Sequence, residues 1–229
     1  MIAFARVSLA RVSRHAEALA SRLSFEERSR VSKMLVHKRA HEHLAGRMAA
    51  RRALSAAGVE LHDVTIGVDE GVRAGAPIAL RGGVPIAGVH LSISHGAGSA
   101  IAIASTEGPL GIDIERVELR SVEMMEDAFA PGEIERFAHA LGEHDPARAA
   151  TVAWCAKEAC AKLAGTGLRA PLAAYEARQV IAQGPAPASR PLSLRAMRPI
   201  TIVTDELGAL EAGVVVRADL AVVWVRPAR

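Results

Sequence analysis

Cysteine is close to absent: Cys155 and Cys160 are the only two in 229 residues, five apart on one helical stretch and therefore pointing in different directions. They form neither a C-x-x-C pair nor a disulfide framework, and they read as buried, inert thiols. Aromatic residues are equally scarce, with four Phe, two Trp and one Tyr, so a chain that is 50% hydrophobic has to build its core from Ala, Val, Ile and Leu. The basic N-terminal stretch holds only Phe4 and Phe25. That is too few for the stacking platforms of single-strand binders, and no nucleic-acid partner is expected. No apolar run approaches the roughly 18 residues a membrane span requires. Met1 to Ala10 alternates, carries Arg6, and lacks the long apolar region and cleavage pattern of a leader. A cytoplasmic protein is expected.

Lysine is the next scarcity. Against 24 Arg there are four Lys, at 33, 38, 157 and 162, and two of these flank Glu158. A chain that otherwise uses arginine places a compact ammonium there, where a planar fork serves differently. Charge is unevenly spread: residues 1–58 carry ten Arg and two Lys against four Glu, a net +8, while the whole chain is +3. The rest is therefore −5. A basic segment beside an acidic remainder suggests a site for a phosphorylated or acidic partner, the plain alternative being a solvated helix face.

The element pattern is mixed. A strand is predicted over Phe4 to Ala10, and a short helix or loop over Arg14 to Arg22. Ser24-Phe25-Glu26-Glu27 is an N-cap with acids in the first turn. A longer helix is predicted from His37 to Ala57, closed by Gly58, with Leu44, Met48, Ala49 and Leu54 on its apolar side and Arg39, Arg47, Arg51 and Arg52 on other faces. Strands follow at Leu61 to Val68, Ile78 to Leu80, Val89 to Ser94 and Ser99 to Ser105, with Ser94-His95 delivered into a glycine-flanked turn and Leu110 to Val117 as hairpin partner of the last. Helices then cover Val122 to Phe129, a segment after Pro131, and Asp145 to Leu163, ended by Gly165-Thr166-Gly167. Tyr175 to Ala182 is strand-like, Gln183 to Pro191 is a Pro/Ala-rich loop, and three β segments finish the chain. Each half runs helices first and strands after, which predicts an α+β protein of two halves, 1–105 and 106–229.

Within that frame, Gly111-Ile112-Asp113-Ile114-Glu115 stands out. On a strand of period 2, Asp113 and Glu115 project from one face while Ile112 and Ile114 anchor the other. Paired carboxylates in an apolar neighbourhood repel unless a cation lies between them, and oxygen ligands in small number suit Mg²⁺. The alternative is a strand end whose acids face water or pair with Arg116 and Arg120. On the helix around Thr151 to Leu163, Trp154, Glu158 and Lys162 are spaced i, i+4, i+8 and share a face. Either they form a core residue and a surface ion pair, or Glu158 becomes a third carboxylate and Lys162 meets a phosphate. His41 and His43 diverge at i, i+2 and are expected to face solvent.

The metal-strand motif, followed about forty residues later by Trp154-x-x-Lys157-Glu158-Ala159-x-x-Lys162 and Gly165-Thr166-Gly167-Leu168, resembles the 4'-phosphopantetheinyl transferase superfamily. The length resembles its monomeric Sfp-type branch, as do Gly75-Ala76-Pro77 and Ser92-Ile93-Ser94-His95. The helix Lys38 to Arg47 resembles the enterobactin-synthase component D type. The resemblance implies two similar α/β halves in pseudo-twofold arrangement, a monomer, and Mg²⁺-dependent transfer of phosphopantetheine from coenzyme A to a serine of an apo acyl- or peptidyl-carrier protein.

It further implies that Asp113, Glu115 and Glu158 hold the metal, and that Glu158 is also the general base. Lys162, His95, Arg47 and Arg39 would meet coenzyme A phosphates, and Gly75, Ala76, Pro77, Ser94 and His95 the adenine nucleotide. Carriers of this branch dock near the region matching Val117 to Phe129, where Met124 and Met125 are expected to pack inward. Two departures stand out: Ala76 replaces the usual lysine between Gly and Pro, and Glu42 stands where the pattern has arginine after Ala-His. Two other readings use the same residues, a Mg²⁺-dependent pyrophosphatase acting on coenzyme A or a related nucleotide, and a carrier-binding module without turnover.

Overall fold

The computed structural model describes residues 1–34, 36–71, 73–185 and 192–228, without the Leu168 side chain. Most of the loop expected over 183–191 lies outside the described residues. The chain divides into two compact units, Met1–Pro109 and Leu110–Arg229. Both mix helix and strand, giving the expected α+β class.

The first unit runs β1 (Ile2–Ser8), α1 (Leu9–Arg14), α2 (Ala16–Ala20), α3 (Phe25–Ser32), α4 (His37–Ala56), β2 (Val64–Val68), β3 (Pro77–Arg81), β4 (Val84–Pro85), β5 (His90–Gly96) and β6 (Ser99–Ser105). α3 starts where the sequence places it, because Ser24 and Glu27 complete a reciprocal capping box. α4 spans the expected residues but is more deeply packed than its apolar pattern suggests: Leu44 to Ala50 are all buried, Arg47 among them. Alanine and glycine make this possible, since small side chains let the helix lie close on the sheet β1-β6-β5. A Cβ on Gly46 would already touch Ile93 at 3.1 Å.

β6 is buried at every residue, with β1 along one edge and β5 along the other. The sequence suggests Leu110 to Val117 as its hairpin partner, and that expectation fails because no edge of β6 is free. The intervening turn is tied to β1 instead: the Met1 ammonium donates to Thr106 Oγ1 at 2.9 Å and pairs with Glu107 at 2.8 Å.

The second unit comprises β7 (Gly111–Arg116), α5 (Val122–Ala128), α6 (Glu133–Leu141), α7 (Pro146–Ala164), β8 (Ala177–Ala182), β9 (Arg198–Thr204), β10 (Gly208–Val216) and β11 (Leu220–Pro227). Its antiparallel sheet has the order β7-β11-β10-β9-β8, so β7 pairs with the last strand. Asp145 caps α7 by accepting from the Ala147 and Arg148 N–H groups, Pro146 opens it, and Gly165 ends it at a φ of 75°. Pro131 does not open α6; Gly132 stands between them as N-cap. α7 lies on β7 and β11 at very close range. At Gly111 there is no room for a side chain, since a Cβ would run into the Ala159 carbonyl oxygen and sit 2.8 Å from the Leu163 nitrogen.

On the opposite side of α7, Lys157 is buried and pairs with buried Glu133 at 2.9 Å. It also donates to the Leu172 carbonyl, while the Glu133 carboxylate accepts from the Ala130 and Ala177 backbone N–H groups. This one pair ties α6, α7, the turn before β8 and β8 together. Among the described residues no helix is long and apolar enough to cross a membrane.

Two stability outcomes follow from these contacts. Gly111→Ala is expected to cost about 1–3 kcal/mol in urea unfolding, the range for overpacking a tight interior. Lys157→Ala leaves the Glu133 carboxylate buried without its counter-ion and is expected to cost about 3–5 kcal/mol in the same measurement.

Candidate functional site

The close approach at Gly111 decides what the next residues of β7 face. Asp113 and Glu115 lie on one side of the strand, toward the only residues between 149 and 163 of α7 that are not buried, namely Trp154, Glu158 and Lys162. Asp113, Glu115 and Glu158 each offer a carboxylate oxygen within 4.8 Å of the others. Lys162 reaches Asp113 at 2.5 Å and Glu158 at 3.8 Å. Arg120 pairs with Glu115 at 3.3 Å, and the Trp154 indole donates to Glu158 at 3.0 Å. The acids thus converge, and at the same time they pair with local cations.

Two cations do not neutralise three converging carboxylates. Burial and the Asp113 charge push Glu115 up to about 7, against the pull of Arg120, and burial with Asp113 likewise raises Glu158. Lys162 is raised; burial opposes this, and the charges of Asp113 and Glu158 outweigh it. An all-oxygen set with surplus negative charge fits a hard divalent cation such as Mg²⁺.

In the first unit, a cavity of about 290 Å³ is lined by Arg39, Glu42, His43, Arg47, Ile93 and His95, with Met34 and Gly46. Three of the residues expected to meet phosphate, Arg39, Arg47 and His95, therefore share one cavity. His95 gets there from within β5 rather than from the turn after it, on the same strand face as Ile93. Ser94 is buried on the other face. Gly75, Ala76 and Pro77 sit at the β2–β3 turn, with Gly75 at a φ of 95°, and they do not line this cavity.

Arg47 and His43 correct the sequence reading of α4. Arg47 does not lie on a solvent face: it is 6% exposed, and burial pushes it down to about 10, still charged at neutral pH. His43 does not face solvent either. Burial, with Arg47, Arg30 and His95 nearby, pushes it down to about 4. Arg47 Nε and His43 Nε2 are buried and have no hydrogen-bond partner among the described residues. Arg47 Nε is a donor, and a buried donor left unmet is costly and marks a place for an acceptor; His43 Nε2 is a second polar atom open to a ligand. A residue such as His43 is hard to find from sequence because the helix is buried nearly all round at its centre, where helical periodicity loses meaning.

Two other cavities complete the picture. One, about 650 Å³, lies beside Arg22, Arg51, Thr65 and Arg81 and holds none of the residues the sequence singles out as site candidates. A third, about 270 Å³, is lined by Met124, Asp127, Ala128, Trp154, Pro171 and Leu172. Met124 does not pack inward as expected; it is exposed, as are Leu119 and Val122.

The carboxylate cluster lies in a segment with recognisable relatives. Residues 109–211 match the family model of the 4'-phosphopantetheinyl transferase superfamily. A curated relative, the 4'-phosphopantetheinyl transferase of Bacillus subtilis, is 28% identical over 159 residues, covering 68% of this chain and 66% of its own length. The match thus spans slightly less than two thirds of that relative. Among solved structures, the chain is similar to the holo-[acyl-carrier-protein] synthase of Helicobacter pylori in complex with coenzyme A, with 23% identity, 46% of this chain and 98% of that chain covered, and a TM-score of 0.36. It is also similar to a holo-(acyl-carrier-protein) synthase of Bacillus anthracis in complex with CoA (3',5'-ADP), with 28% identity, 45% and 91% coverage and a TM-score of 0.38.

The half-buried ring of His43 has a pH signature. Unfolded, the imidazole takes a proton near 6.5; folded, it does so only at about 4. Between those values the unfolded chain binds the extra proton, so stability falls as pH drops from 6.5 to 4. In urea unfolding at a series of pH values, His43→Gln is expected to flatten this fall by about 1–2 kcal/mol, less than the full shift implies because solvent screens the half-buried ring.

Proposed function

We propose that the protein transfers the 4'-phosphopantetheine arm of coenzyme A to a serine of an apo acyl- or peptidyl-carrier protein, releasing 3',5'-ADP. The observation that carries this reading is the convergence of Asp113, Glu115 and Glu158 beside Lys162, in a segment that matches the 4'-phosphopantetheinyl transferase superfamily. In this reading Asp113, Glu115 and Glu158 hold Mg²⁺. When bound, the ion supplies neutralisation for the pyrophosphate of coenzyme A. Lys162 adds a fixed positive charge for a phosphate oxygen. Glu158, raised by its burial, accepts the proton of the carrier serine as its oxygen attacks the phosphorus and the bond to 3',5'-ADP breaks.

The cavity of the first unit takes a phosphate of the coenzyme. Arg39, Arg47 and His95 provide the charge and the donors, and Arg47 stands in for the arginine that Glu42 replaces. Gly75 to Pro77 and Ser94 belong to the adenine side in this reading. The exposed apolar residues Leu119, Val122 and Met124 support docking of the carrier beside α5. The protein would work as a monomer in the cytoplasm on carriers with acidic surfaces, to which the basic residues 1–58 are complementary.

The test is mass spectrometry of several apo carriers after incubation with the protein, coenzyme A and Mg²⁺. One phosphopantetheinyl group is expected on the carrier serine, and Glu158→Gln is expected to lower kcat by about 10²–10⁴-fold, the usual contribution of a positioned base. No mass gain on any carrier overturns the reading. Release of 3',5'-ADP without a carrier would identify a pyrophosphatase instead.

A further inference from the structure

Arg120 inverts the ordinary placement of side chains. It lies in the short link from β7 to α5, where its neighbour Leu119 is 79% exposed while the arginine side chain is only 7% exposed. Burying a guanidinium and exposing a leucine costs free energy unless the arginine has work to do. The link is anchored: the Val117 N–H donates to the Asp219 carbonyl at 3.1 Å, and Ser121 caps α5 by accepting from Met124. The guanidinium pairs with Glu115 at 3.3 Å, and its central carbon lies 4.5 Å from the centroid of the Trp154 ring. The indole of that same Trp154 donates to Glu158 at 3.0 Å. Arg120 Nη1 is buried with no hydrogen-bond partner among the described residues, so its own hydrogen bonding does not account for the placement.

We infer that Arg120 is a positioning residue of the carboxylate cluster: clamped between Glu115 and the face of Trp154, it fixes the indole that holds Glu158, and so sets the spacing of these two carboxylates around a bound divalent cation. The spare Nη1 donor is left for an oxygen of whatever binds at the cation. The inference rests on the cation-binding part of the proposed function and not on the transfer reaction.

Charge and position predict opposite outcomes. As a bare charge, Arg120 repels a divalent cation, and removing it tightens cation binding. As a positioning device it does the reverse, and lysine cannot replace it, because an ammonium has no planar group that can lie over the indole and reach Glu115 together. The experiment is calorimetric titration of the full chain with Mg²⁺ alone, needing neither coenzyme A nor carrier, with tryptophan emission followed in parallel.

Arg120→Gln, Arg120→Lys and Trp154→Phe are each expected to weaken Mg²⁺ by about tenfold or more, as loss of a partner that orients a metal ligand does. The Arg120→Gln, Trp154→Phe double variant is expected to be little worse than either single one, since both changes disable one device. Wild-type emission is expected to shift on adding Mg²⁺, and that shift to be lost in Trp154→Phe. If Arg120→Gln does not fold, as judged by circular dichroism, Arg120→Lys and Trp154→Phe carry the comparison. Unchanged or tighter Mg²⁺ binding in the folded Arg120 variants overturns the inference, and so does a wild-type chain that takes up no Mg²⁺. Failure of the carrier assay with these results intact would count against the transfer reaction alone.

Discussion

The second unit depends on one steric fact: β7 and α7 meet with no side chain between them at Gly111. A residue with a Cβ there would hold strand and helix apart. The carboxylates that follow on β7 and the half-buried stripe on α7 could not then come within coordination distance of one another. The alanine-rich composition of α7 serves the same end. Ala153, Ala156, Ala159 and Ala161 are buried, and their small size lets backbone approach backbone where bulkier residues would form a thicker layer.

α7 treats charge in two ways on its two sides. Toward α6, Lys157 and Glu133 form a pair whose hydrogen bonds are met by backbone groups around it. Such a compensated pair is suited to fixing how elements join. Toward β7, three acids share two cations and remain under mutual repulsion. The first arrangement is complete, while the second keeps a carboxylate in excess of its cations. Adjacent residues 157 and 158 thus serve opposite purposes, and the difference lies in which way each side chain leaves the helix.

Much of this was legible in the sequence. The caps at Ser24, Asp145 and Gly165 carry local chemistry, and the helices begin and end near them. The i, i+4, i+8 spacing of Trp154, Glu158 and Lys162, and the period-2 spacing of Asp113 and Glu115, are geometry written into residue numbers. What stayed hidden depends on partners far along the chain. Nothing local reveals that β6 has both edges occupied, so a strand, a turn and a second strand read as a hairpin. Burial of Arg47, and partial burial of His43, reflects an alanine-lined helix sunk in its sheet, where polarity misleads. Arg120 appeared only as one possible ion partner of the acids, because its contact with Trp154 spans 34 positions of sequence.

The pairing of β7 has a consequence for how the protein comes into being. Its sheet partner is β11, so Gly111 faces Val225 and Asp113 faces Val223 in register. During synthesis, the strand bearing two of the three acids emerges more than a hundred residues before the strand that will hold it. α7 is made in between, after β7 but before β7 has its sheet partner. Long-range closure of this kind is slow compared with helix formation. The strand that carries Asp113 and Glu115 is therefore fixed in its sheet only after the ribosome has delivered Leu220–Pro227.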